Sequence, residues 1–172
     1  MRIPLIYKRI GNFLGSLLLS LCCFFGAYQA LTLSSYEIDQ INNYSGKVIE
    51  AGIMNKNNSV AGRGSFKSDI FFIKIQGLNQ ILATYNSSNS YSYFEENIKV
   101  GDEITVYYLE SKDTIKPNLN LFQIEKNYKI ILNTKEFQNK EILGGSIAFF
   151  GGIILLGLGL YQDKKYWIKN EK

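Results

Sequence analysis

Two cysteines, no histidine and 15 carboxylates bound what chemistry this 172-residue chain can do. Without histidine there is no Ser-His-Asp relay and no His-ligated zinc site. Cys22 and Cys23 are adjacent inside an apolar run, so neither serves as an exposed nucleophile and they do not staple a domain. No phosphate loop, dinucleotide fingerprint or calcium loop is present. Gly62-Arg63-Gly64-Ser65 has no strand leading in and no helix following, and it reads as a loop. The acid pairs Glu95-Glu96 and Asp102-Glu103 read as solvated turn charges, because adjacent carboxylates on a strand point to opposite faces. A Ser–Lys pair of the signal-peptidase kind would draw on Ser59, Ser65 or Ser68 with Lys67 or Lys74, but no Ser-Met step accompanies them. The expectation is a chain with no catalytic, cofactor-binding or metal-binding residues, and not an enzyme.

The elements that carry the remaining residues are uneven. Mean hydropathy is −0.06, yet residues 10–33 contain no charge: 16 are apolar, three are Gly and five are uncharged polar. Residues 142–161 hold 13 apolar residues, six Gly and one Ser. As helices these rise about 36 Å and 30 Å, enough for a hydrocarbon core of roughly 30 Å. Glycine at that density is tolerated in lipid, where a helix satisfies its own backbone. The first run is longer than a signal-peptide core, and Ala27 and Ala30 follow Phe25 and Tyr28 where cleavage wants small residues. It is expected to be an uncleaved anchor.

Charge sets the orientation. Residues 1–9 carry Arg2, Lys8 and Arg9 and no acid, while residues 162–172 carry four lysines and two acids. Residues 34–141 hold 12 basic and 13 acidic residues. The net +4 is therefore a property of the two tails, which the positive-inside rule places in the cytoplasm. Trp167, Tyr161 and Tyr166 at one boundary, and Tyr28 and Tyr36 at the other, suit the headgroup layer. The expectation is a multi-pass cell-membrane protein with both termini cytoplasmic. Its near-neutral middle argues against nucleic acid, which would want a basic face.

Small residues recur within both spans. Gly11 and Gly15 form a G-x-x-x-G, continued by Cys22, Gly26 and Ala30. In the second span Gly144, Ala148 and Gly152 are four apart, and Gly145, Gly152 and Gly159 are seven apart. Such stripes let helix backbones approach closely. The partners expected are the lipid bilayer and a membrane or envelope protein, or a second copy, met through Gly11, Gly15, Gly144, Ala148 and Gly152.

Between the spans the chain alternates as strands do. The segments are Lys47–Met54, Ser68–Gln76, Gln80–Tyr85, Glu103–Glu110, Leu121–Glu125 and Tyr128–Leu132, the last two joined around Lys126-Asn127. Ile104, Val106 and Tyr108 fall on one face of the fourth. Gly77-Leu78-Asn79 supplies a turn, and short helices fit Ser92–Lys99 and Lys135–Glu141. Asn55–Ser65 and Asn86–Ser92 read as loops. The fold class expected is a membrane protein in which two transmembrane α-helices (residues 10–33 and 142–161) flank a small all-β, open-barrel or sandwich-like extracytoplasmic domain (residues 34–141). The patterns Asn43-Tyr44-Ser45, Asn57-Asn58-Ser59 and Asn86-Ser87-Ser88 fit N-glycosylation, but 16 Asn in a Lys-rich chain produce such matches by chance.

The run Val100-Gly101-Asp102-Glu103-Ile104-Thr105-Val106-Tyr107-Tyr108, with Ser45-Gly46-Lys47-Val48 opening the domain, resembles a bacterial membrane-protein family of unknown function. That family has two membrane helices around a small extracytoplasmic β-domain with a Gly-Asp-x-φ-x-Val-x-Tyr strand. Where its pattern has an Asn-Pro step, this chain has Lys116-Pro117-Asn118. The resemblance implies the layout and no activity. The function expected is accessory or interaction: a β-domain presented outside the cytoplasm to hold or stabilise a membrane complex. The alternatives are a ligand-binding module using Tyr85, Tyr91, Tyr93 and Phe94 as a sugar-stacking surface, and the Ser–Lys hydrolase.

Overall fold

The computed structural model describes residues 5–60, 64–85 and 91–170, and they form two compact units. One comprises residues up to Ser35 together with Gln138 onward, and the other is Tyr36–Phe137. The first holds α1 (Leu5–Ser34) and the greater part of α3 (Thr134–Asn170); the two whole helices are about 45 Å and 55 Å long at 1.5 Å per residue. Both are long and apolar enough to cross a membrane. Both helices extend beyond their charge-free runs into flanking polar residues. Asn133 caps the start of α3: its Oδ1 accepts the Lys135 N–H at 2.9 Å.

The second unit holds a six-stranded antiparallel sheet in the order β3-β2-β1-β4-β5-β6. The strands are β1 (Asn42–Val60), β2 (Gly64–Ile75), β3 (Leu82–Thr84), β4 (Glu103–Tyr108), β5 (Leu121–Lys126) and β6 (Lys129–Leu132), with α2 (Ser92–Asn97) between β3 and β4. β1 is long because it serves two partners. Asn42–Lys47 pairs with β4, and after an irregularity at Val48/Glu50 the rest pairs with β2. The sheet then curls until β3 meets the segment before β5. Leu82 and Asn118 form a parallel bridge, with Asn118 N–H to Ile81 O at 2.7 Å and Ala83 N–H to Asn118 O at 2.9 Å. This single bridge links the β3 edge of the sheet to the stretch that leads into β5, and β6 forms the other edge.

The main core collects Val48, Phe71, Ile73, Ile75, Leu82, Ile104, Val106, Tyr108 and Ile124, and Tyr91, Phe94 and Ile98 of the α2 segment pack into the same cluster. Ile104, Val106 and Tyr108 are the buried face of β4, as the alternation of the sequence predicts. One expectation is corrected. The segment Asn55–Ser65 is not a loop throughout: β1 runs to Val60 and β2 resumes at Gly64, with pairs from Asn55↔Asp69 to Val60↔Gly64. Its Asn, Ser and Lys content hid the strands, because cross-strand backbone bonds need no apolar side chain. Residues 61–63 of that stretch, and 86–90 of the expected Asn86–Ser92 loop, lie outside the described residues.

The β5–β6 hairpin turns at Asn127 and Tyr128, both at positive φ (51° and 62°). This is the two-residue turn that favours Asn-Gly, because a Cβ in the left-handed region is strained. Tyr128 is fully exposed and gains no packing to offset that strain. Tyr128→Gly should therefore stabilise the chain by about 1 kcal/mol, read as a higher Tm of the full-length protein in detergent. An unchanged or lower Tm would refute the assignment of strain.

Candidate functional site

The Gly101-Asp102 motif is a turn that ties three elements together. Gly101 sits at φ +98°, which glycine adopts freely. Its N–H reaches Val48 O at 2.9 Å, and Val48 N–H reaches Asp102 O at 2.8 Å. Asp102 Oδ2 accepts from Lys126 Nζ at 2.6 Å and from the Lys99 N–H at 2.7 Å, and the same ammonium reaches Asn97 O at 2.9 Å. The Lys126 hydrogen bond holds the Asp102 carboxyl below the usual carboxylate range, aided by the Lys99 N–H and opposed by partial desolvation. A depressed folded-state pKa stabilises above the unfolded value of about 3.9, and the gain is lost as pH falls through the folded value. Asp102→Asn should cost about 1–2 kcal/mol at pH 7, a modest figure because both side chains are roughly a quarter exposed. The difference between the melting curves of the two proteins should shrink as pH falls from the unfolded carboxylate value through the folded one; a difference that does not change with pH in the acid range would contradict the ion pair.

The remaining chemistry-bearing residues do not assemble. Among the described residues no three of His, Cys, Asp and Glu are grouped to hold a metal. Glu103 opens β4 exposed, and Glu95 and Glu96 are exposed on α2. Lys74 pairs with Glu50 across the sheet. Ser68 lies six residues from Lys74 along the same strand, about 20 Å away. The side chains of Ser59, Ser65 and Lys67 lie outside the described residues. Of the four aromatics read as a stacking surface, Tyr91 is buried with its hydroxyl donating to Asp69 O at 2.6 Å. Phe94 is stacked on Phe71 at 5.2 Å. Only Tyr85 and Tyr93 remain at the surface.

β2 sends alternate residues to two clusters: Phe71, Ile73 and Ile75 enter the main core, and Ile70 and Phe72 point to the opposite face. Here that face is filled: Ile70, Phe72 and Ala83 form a second buried cluster against Met54, Ile81 and Leu119. Leu119 belongs to the β4–β5 connection, which Asn118 pins. Asn118 Nδ2 donates to Gln80 Oε1 and to Leu109 O, both at 2.8 Å, and its Oδ1 accepts the Asn120 N–H at 3.0 Å. Sequence reasoning did not single out Asn118 as structural. Its signal was the Pro117-Asn118 step at a point where the loop must fold back.

Two further features involve the chain ends and the long helices. In the helical unit, α1 and α3 run antiparallel. A Cβ added at Gly145 would meet Ala30 and Leu31, one at Gly152 would meet Phe24 and Cys23, and one at Gly159 would meet Ser16. Ser16, Cys23 and Ala30 are themselves seven apart, as in a left-handed helix pair. Ser20 and Ala27 are buried in the same seam, the Ser20 hydroxyl satisfied by Ser16 O at 2.8 Å. Ala148 is half-buried, whereas positions at Gly11, Gly15 and Gly144 have no neighbour within 4 Å of an added Cβ. At one end Arg9 is ion-paired with Asp163 through two N–H donors. In the sheet unit, both chain ends meet on buried Phe122. Tyr36 lies edge-on to it at 6.5 Å and Phe137 tilted against it at 4.2 Å.

Two apolar helices long enough to cross a membrane, flanking a six-stranded antiparallel sheet, define the class of this protein. Comparison with family models, curated proteins and solved structures finds no match.

Proposed function

We infer that this is an integral membrane protein whose two helices form a hairpin in the cell membrane, with both termini cytoplasmic and the β-domain outside. Its role is accessory: the domain engages a membrane or envelope protein and the hairpin holds it at the bilayer. The observation that carries this reading is the meeting of Tyr36 and Phe137 on one phenyl ring. A domain whose ends are separated by a single ring suits two adjacent antiparallel spans, since packed helix axes lie about 8–10 Å apart. The apolar side chains support it too. Leu18, Phe25, Leu143, Ile147 and Phe150 face outward along the helices, an exposure that lipid covers and water penalises. The filled outer face of β2 and β3 favours a protein-contact role over ligand capture.

The test uses single cysteines in the full chain with Cys22 and Cys23 replaced by Ser. An impermeant maleimide on intact cells should label Asn79→Cys, and should label Lys164→Cys only after permeabilisation. The opposite pattern would overturn the orientation. Purification in mild detergent should yield a stoichiometric partner protein, and a partner-free monomer at native expression would overturn the accessory role.

A further inference from the structure

The Arg9–Asp163 end of the hairpin is more than a clamp. Arg9 lies between Ile6 and the apolar residues Ile10, Phe13 and Leu14, and these with Asp163 line a groove open on one side. The stretch from Ile6 to Leu14 rises about 12 Å. The groove therefore offers an apolar wall to a chain-like ligand and a guanidinium–carboxylate pair to its head. Charge at this end is unbalanced: Lys8, Lys164 and Lys165 are exposed beside the pair, and Asp163 is the single acid among these residues.

We propose that this groove is a binding site for an anionic phospholipid, with one acyl chain against Ile10, Phe13 and Leu14 and the phosphate at the Arg9 level among the lysines. The inference rests on the membrane-spanning reading. An ordinary lipid-facing helix surface would select no headgroup. Here the apolar wall and the cationic end coincide, and each Lys or Arg near a membrane surface favours anionic lipid. A zwitterionic lipid would fit the wall but would bring its own cation to the lysines. Free phosphate would have no use for the wall.

The experiment uses the full chain in nanodiscs of equal phosphatidylglycerol and phosphatidylcholine, with the retained lipid counted by native mass spectrometry after gentle extraction. The wild type should retain phosphatidylglycerol at least threefold over phosphatidylcholine. Leu14→Trp fills the groove without changing charge and should reduce the retained lipid at least threefold. Lys164→Gln with Lys165→Gln should bring the ratio towards one while leaving the hairpin folded. Equal retention of both lipids by the wild type would overturn the proposal, as would Leu14→Trp retaining as much as wild type. Thermal protection by inorganic phosphate equal to that of phosphatidylglycerol would do the same. A parallel alkaline-carbonate wash separates the two readings. Release of the chain from membranes refutes the spanning helices, whereas a wash-resistant chain without lipid selectivity refutes the groove alone.

Discussion

Gly152→Leu should break the helix pair while Gly144→Leu leaves it intact. A Cβ at Gly152 would sit 2.8 Å from Phe24 Cε1 and 3.2 Å from Cys23 Cβ, whereas none of the neighbouring atoms comes within 4 Å at Gly144. Overpacking of this kind costs about 1–3 kcal/mol, and membrane helices have little hydrophobic drive between them to compensate. Gly159→Leu should act like Gly152→Leu, since its Cβ would overlap Ser16. The readout is bismaleimide crosslinking between Arg9→Cys and Asp163→Cys, which are ion-paired across the two helices in the native chain, with Cys22 and Cys23 replaced by Ser so that the Phe24 ring and the position-23 Cβ both remain. It should fall about fivefold or more, on the scale that 1 kcal/mol sets, in the Gly152 and Gly159 variants and stay unchanged for Gly144. Equal crosslinking in all three would mean that the seven-residue seam does not hold the helices.

Asn118→Ala should be among the most damaging single substitutions in the sheet unit. It removes three side-chain hydrogen bonds at a buried position, to Gln80, Leu109 O and the Asn120 N–H. Leaving buried polar groups unpaired costs about 1–3 kcal/mol each when water cannot reach them. Partial rescue by water lowers the sum, and a loss of about 2–4 kcal/mol follows. For a domain of this size that is a fall in Tm of roughly 10–25 °C. The same substitution should loosen the β4–β5 connection over Ile70 and Phe72, so faster hydrogen exchange at the amides of residue 118 and Ala83, which bond Ile81 O and the residue-118 carbonyl, should accompany it. A Tm within 3 °C of wild type would show that the clasp is not what holds β3 to the segment before β5.

Much of this architecture was legible locally. The strands at Ser68–Gln76 and Glu103–Glu110 and the turn before Ile104 follow from alternation and turn chemistry. What was missed has a common cause. The polar reaches of β1 and β2 are strands by backbone pairing alone. Asn118 looks like any loop asparagine until the loop is folded over the sheet. Tyr91 and Phe94 read as a possible surface because a six-residue helix shows too little periodicity to say which side faces Phe71.

By itself the sequence determined that two charge-free runs separate a β-rich middle from basic flanks, because charge and hydropathy are properties of each residue wherever it goes. It also held two glycine stripes in α3, four and seven residues apart, and could not rank them. Tertiary structure separated them within the helix pair: Gly145, Gly152 and Gly159 all face α1, whereas Gly144 of the four-residue set faces open space. Tertiary structure also decided that β1 divides itself between two partners, that the sheet closes through Asn118, and that Tyr36 and Phe137 converge on Phe122. Those are contacts between residues far apart in the chain, and no local pattern of residue types specifies which distant surface will cover which.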